Sequence, residues 1–129
     1  MPQDYSKAFK THDEAAERGD PEAQFRLGVM FGLGLGVGQD YAAAVRWYQA
    51  AAKADHPPSQ CNLGWMYGTG RGVPQDYVRA YAWYSIAAAG GEETARKNRD
   101  IVAARMTPPQ LEEAQRLSGE IFDEIGSRS

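Results

Sequence analysis

The chain is poor in the residues from which reaction centres are built. Cys61 is its only cysteine, so no internal disulfide can form and no cysteine spacing marks a metal site. Its two histidines, His12 and His56, lie far apart in sequence, and neither is tied to a plausible nucleophile. Metal ligation needs more converging ligands than these. Ser-x-x-Lys and Gly-x-Ser-x-Gly are both missing, which removes two common signatures of acyl transfer. An excess of positive charge is missing too. Fourteen Lys and Arg against 17 Asp and Glu leave a net charge of −3 and a pI near 5.4. That balance gives no general attraction to nucleic acid or to an anionic membrane. No apolar run approaches the roughly 18–20 residues that span a bilayer.

The opening Met1-Pro2-Gln3-Asp4-Tyr5 has neither the basic nor the apolar region of a secretion signal. As written, the chain is expected in a reducing cytoplasm. A leader removed upstream of Met1 would place it in the periplasm or outside the cell. The length of 129 residues suits a single domain, and hydrophobic content of 43% is ordinary for a globular chain.

What the chain has is a unit written twice with a period of 36 residues. Leu27-Gly28-Val29-Met30-Phe31-Gly32 returns as Leu63-Gly64-Trp65-Met66-Tyr67-Gly68. Gln39-Asp40-Tyr41 returns as Gln75-Asp76-Tyr77, and Trp47-Tyr48 returns as Trp83-Tyr84. More than half the positions agree between 24–54 and 60–90. The pattern also reaches upstream: Pro2-Gln3-Asp4-Tyr5 matches Pro74-Gln75-Asp76-Tyr77 at twice the period. A fixed period of this size marks a stack of repeats. The expected division is one domain over 1–129: a partial repeat at 2–20 holding a second helix only, full repeats at 21–56 and 57–91, and a capping helix pair at 92–126.

Each unit reads as helix, glycine-rich turn, helix. Pro21 and Pro57 suit a first helical turn. Ala23, Leu27 and Phe31 fall at helical spacing, and Gly28 beside Leu27 leaves room for a close partner helix. Gly34, Gly36 and Gly38 supply cheap positive φ in the turn. Asp40 and Asp76 stand where an N-cap belongs. Tyr41, Ala44, Trp47/Tyr48 and Ala51 line one stripe of the second helix. A helix over about 92–106 follows, and Thr107-Pro108-x-Gln110 announces a last one with a capping box. Its apolar positions are Leu111, Ala114, Leu117, Ile121, Phe122 and Ile125. The expectation is an all-α chain of about six helices with no strands.

The string Leu-Gly-x-Met-[Phe/Tyr]-Gly-x-Gly-x-Gly-Val-x-Gln-Asp-Tyr-x-x-Ala-x-x-Trp-Tyr-x-x-Ala-Ala resembles the Sel-1-like repeat, a relative of the tetratricopeptide repeat with a longer inter-helix turn. The tail from Met106 to Phe122 is similar to the end of many bacterial members. The resemblance implies a right-handed α/α superhelix, closed by a C-terminal helix, that acts as a protein–protein adaptor. One branch of that family carries a helix-linking disulfide in each repeat and is secreted. This chain lacks those cysteines, which sets it apart from that branch and from its proposed cell-wall or β-lactam binding.

The glycine runs are read as turns, because they join two helices and lack the Gly-Lys-[Ser/Thr] of a phosphate loop. Arg96, Lys97, Arg99 and Arg105 form a basic patch, for which pairing of Arg96 and Arg99 with Asp100 is the simpler reading. His56, before Pro57-Pro58, is expected to be exposed. In tetratricopeptide-like stacks the first helices line the concave face. The candidate partner-binding residues there are Phe25, Arg26, Val29, Asn62 and Trp65, with packing inside the stack as the rival reading for Trp65. No catalytic residue, metal or cofactor is expected, and the partner is a protein or peptide. A second reading is a self-assembling module or a segment of a longer array. It would pair through an open N-terminal stripe of Tyr5, Ala8 and Phe9. A hydrolase or cell-wall ligand binder is the remote third.

Overall fold

A computed structural model describes residues 4–126; the predicted match at Pro2 and Gln3 lies outside them. Seven helices make up the described residues, with no strand among them. They are α1 (Ser6–Glu17), α2 (Pro21–Leu33), α3 (Tyr41–Lys53), α4 (Pro57–Thr69), α5 (Tyr77–Ala89), α6 (Glu93–Ala103) and α7 (Pro108–Gly126). Seven is one more than the round figure of six and is the number implied by the expected division: one helix in the partial repeat, two in each full repeat and a capping pair.

The repeated residues explain the repeated shape. Asp20 caps α2 through Glu22 N at 3.0 Å. Asp40 Oδ1 accepts from Ala43 N at 3.0 Å and Asp76 Oδ1 from Arg79 N at 3.1 Å. One step back, Gln39 Nε2 donates to Gly32 O at 2.8 Å and Gln75 Nε2 to Gly68 O at 3.0 Å. Gln-Asp therefore ties the end of one helix to the start of the next. Another glutamine joins consecutive units: Gln24 Nε2 donates to Ala16 O and Gln60 Nε2 to Ala52 O. Each closes a carbonyl at the end of the preceding helix, where intrahelical partners run out.

Close approach is set by glycine. A Cβ on Gly64 would stand 2.8 Å from the Tyr84 ring, and one on Gly28 would collide with Tyr48. In the turns, Gly36 and Gly72 have φ of 73° and 74° and lie against the backbone of Tyr5 and Tyr41 in the preceding unit. Each turn thus rests on the start of the helix one unit back. Gly38, expected among the positive-φ residues, is not one of them; proline occupies its equivalent, position 74.

Neighbouring helices pack in series from α1 to α6, and α7 folds back onto α5. The core follows this stack, with Leu27, Ala44, Ala52, Leu63 and Ala87 fully enclosed. Two sequence expectations are corrected here. Tyr5, Ala8 and Phe9 are not an open stripe: they are partly buried and pack against the cluster of Ala23, Leu27 and Met30, with Phe9 edge-on to Phe31 at 5.5 Å. The helix over 92–106 is also shorter than expected. Arg105 N and Met106 N turn back three residues, to Val102 O and Ala103 O, as the last turn tightens.

The capping box of α7 forms. Thr107 Oγ1 accepts from Gln110 N at 3.3 Å, and Thr107 N donates to Gln110 Oε1 at 2.8 Å. The landing site of α7 is written in the differences between copies. Arg46 and Ala50 on the back of α3 become Ala82 and Ile86 on α5, both buried. Ile121 and Ile125 join the cluster that holds Trp83 and Ile86. Phe122, expected on the apolar face, remains exposed.

Candidate functional site

Each junction between units leaves a pocket, and the pockets repeat with the sequence. The first is walled by Tyr5, His12, Phe25, Arg26 and Val29. The second, of about 300 Å³, is walled by Val29, Tyr41, Tyr48, Asn62, Trp65 and Arg71. The third is walled by Trp65, Tyr77, Tyr84, Asn98, Ile101 and Arg105. Shifting by 36 residues maps Tyr5 to Tyr41 to Tyr77, Arg26 to Asn62 to Asn98, and Val29 to Trp65 to Ile101. The elements are the same each time: the second helix of one unit and the first helix of the next. Val29 and Trp65 each belong to two pockets, so the three form one continuous groove face.

The five predicted residues all line this face, though not one pocket. Phe25 and Arg26 belong to the first pocket, Asn62 and Trp65 to the second, and Val29 joins them. Phe25 also packs inside its own unit: its ring lies 5.1 Å from the His56 ring and 6.1 Å from the Tyr48 ring. Arg26 pairs with Glu22 at 3.2 Å. Asn62 hydrogen-bonds Tyr48, which burial otherwise shifts toward a higher pKa. Trp65 is 39% exposed.

Sequence reasoning missed Arg71. Its guanidinium stands 4.6 Å from the centre of the Trp65 ring and 5.7 Å from that of the Tyr41 ring, so the cation meets two aromatics. The available signal was the turn itself, where Leu35 in one copy becomes Arg71 in the next while the glycines around it stay.

The groups that could have carried chemistry are otherwise engaged. Burial, with the charge of Glu92 adding, pushes the Cys61 thiol up to about 11, which keeps it protonated and inert at neutral pH. Tyr84 is pushed to about 12 by burial first and by Cys61 second. His56 is not exposed as expected: its side chain is 15% accessible. It occupies the N-cap of α4, where Asp20 stands in the unit before. Its Nδ1 meets Ser59 Oγ at 2.8 Å and its Nε2 meets Glu22 Oε2 at 2.8 Å. In the basic patch, Arg96 pairs with Glu93 at 2.6 Å rather than with Asp100, while Arg99 meets Asp100 at 3.5 Å. Arg105 faces the third pocket. Among the described residues, no three His, Cys, Asp or Glu side chains are grouped to hold a metal ion, and no helix is long and apolar enough to cross a membrane.

A family model described as the Sel1 repeat matches residues 1–20, 21–56 and 57–92. Among solved structures, c5321, a protective antigen present in uropathogenic Escherichia coli strains and displaying an SLR fold, is similar with a TM-score of 0.93 and 31% identity. The likeness covers 99% of this chain and 28% of that one. A Sel1 repeat protein from Oxalobacter formigenes is similar with a TM-score of 0.74 and 30% identity, over 78% of this chain and 42% of that one. The likeness therefore spans less than half the length of either of those proteins. No match is found among curated proteins.

Proposed function

The chain belongs to the Sel1 repeat family, and from that premise we propose that it is a non-enzymatic adaptor holding a segment of a partner protein along its groove face. Proteins of this family serve in general as scaffolds for protein–protein interaction. The single observation behind the groove assignment is the ladder of three pockets at the repeat period. Their walls change from unit to unit while the packing positions stay: Leu27 and Leu63 are identical and enclosed, but Val29, Trp65 and Ile101 differ, the first half-buried and the other two exposed. Trp65 at 39% and Ile101 at 59% are unusually exposed for large apolar side chains. An apolar groove with a few convergent polar groups is the usual form of a recognition site. The segment contacts Phe25, Arg26, Val29, Asn62 and Trp65, and Trp65 is the anchor.

The reading is tested with a partner identified by co-purification and then titrated as a pure component. Trp65→Ala is expected to weaken binding by about tenfold or more, the loss typical of a buried aromatic anchor. Undiminished binding overturns the groove assignment.

A further inference from the structure

We propose that the second pocket takes a carboxylate side chain of an extended acidic peptide segment, with Arg71 as its anchor and an adjoining apolar residue in the cavity beside it. The proposal rests on the groove reading above and specifies the chemistry of what lies there.

Arg71 is exposed and forms no ion pair among the described residues. The rings of Trp65 and Tyr41 hold its guanidinium by cation–π attraction. Such contacts use no N–H donor, and no side-chain hydrogen bond of Arg71 occupies one among the described residues. A planar fork held this way suits a carboxylate, which it can bind through two parallel hydrogen bonds.

The fold does not require this arginine. Leu35 holds the same place in the preceding turn, and the flanking glycines keep nearly the same φ: 71° and 73° there, 71° and 74° here. Packing therefore does not explain the cation.

The surrounding charge agrees. The walls of the three pockets carry Arg26, Arg71, Arg105 and His12 and no carboxylate, although the whole chain is acidic at −3. Of these arginines only Arg26 has an acidic partner, Glu22. A basic trough on an acidic body draws an acidic segment to the trough, while the remaining surface repels it. Apolar groups complete the site. Val29 and Met66 line the second pocket with Leu33, which is 66% exposed. A cavity of about 300 Å³ admits one large aliphatic or aromatic side chain next to the acid.

The test pans the full chain against a displayed library of random short peptides. Selected peptides are then titrated by calorimetry against the wild type, Arg71→Gln, Arg71→Lys and Trp65→Ala. Both side chains are exposed, and circular dichroism checks that each variant is folded. The expected peptides place Asp or Glu beside an apolar residue. Arg71→Gln weakens them on the order of tenfold, and Arg71→Lys falls between. Replacing the peptide's Glu by Gln costs the wild type a similar factor but costs Arg71→Gln nothing further, and affinity falls as salt rises. Peptides that need Trp65, carry no acid and ignore Arg71→Gln overturn the carboxylate site while leaving the groove reading intact. Peptides indifferent to both variants, or no selected peptides, overturn both. Tighter, Arg71-dependent binding of a single-stranded oligonucleotide overturns the peptide as occupant.

Discussion

The ring of Tyr84 lies where a side chain on Gly64 would begin, 2.8 Å from the position of a Cβ. Tyr84 is 3% exposed and packs in the cluster of Cys61, Ala80 and Ala87, so moving it disturbs the core. Gly64→Ala is therefore expected to destabilise the chain by about 1–3 kcal/mol, even though alanine is the better helix former. Gly119, on α7, has nothing within 4 Å of its would-be Cβ. There the same substitution is expected to be neutral or to stabilise by up to about 1 kcal/mol. Urea unfolding of the two variants measures the contrast, and equal effects would refute the packing argument.

His56 joins two units by capping α4 and reaching Glu22 on α2. His56→Ala is expected to cost roughly 1–2 kcal/mol, the range for a lost N-cap. His56→Asp restores the residue type found at position 20 but sets a carboxylate against Glu22. Its deficit is expected to shrink when Glu22→Gln is added. A double-mutant cycle on thermal or urea stability reads the coupling.

Alkaline pH should weaken the fold in a defined window. The Cys61 thiol titrates near 9 when unfolded and at about 11 when folded. Between those values the unfolded chain has lost a proton that the folded chain retains, so stability falls as pH rises. Tyr84, raised from 10 to about 12, extends the decline upward by the same sign. Cys61→Ala is expected to flatten the lower part of the decline and to reduce the upper part only in part, because burial, the larger cause of the Tyr84 shift, remains while the charge of Cys61 is lost. Urea midpoints between pH 8 and 12 test this, and an unchanged slope near pH 10 would contradict it.

Ala82 and Ile86 form the seat of α7. Ala82→Arg restores at that position the arginine that α3 carries as Arg46. A charge introduced at a fully enclosed site is strongly unfavourable. Residues 108–126 are expected to become protease-sensitive and quick to exchange amide hydrogen while α2 to α4 retain protection. Uniform loss of protection would show instead that α7 and the stack unfold as one.

Much of the fold was legible because the repeat doubled every local signal. The Asp40 and Asp76 caps, the close packing at Gly28 and Gly64, and the capping box at Thr107 all depend on neighbours a few residues away or one period away. What failed depended on contacts that no local pattern carries. His56 looked like a turn residue, yet it packs against Glu22 and Phe25, more than thirty residues upstream on α2. Tyr5, Ala8 and Phe9 looked unpartnered, yet the face of α2 was waiting for them. The candidate site was legible in part. Positions where the copies disagree marked the first helices, but Arg71 sits in a turn whose repeated glycines drew attention to backbone shape alone.

The three pockets share a backbone and differ in what lines them, with a leucine at Leu35 where the next holds Arg71. A strand sliding back by one unit would meet the same contours but another chemistry, with Leu35 in place of Arg71 and Arg26 already paired with Glu22. The array can thus act as a ruler with a single engraved mark: even spacing sets the pitch of whatever lies upon it, and the odd residue fixes where it stops.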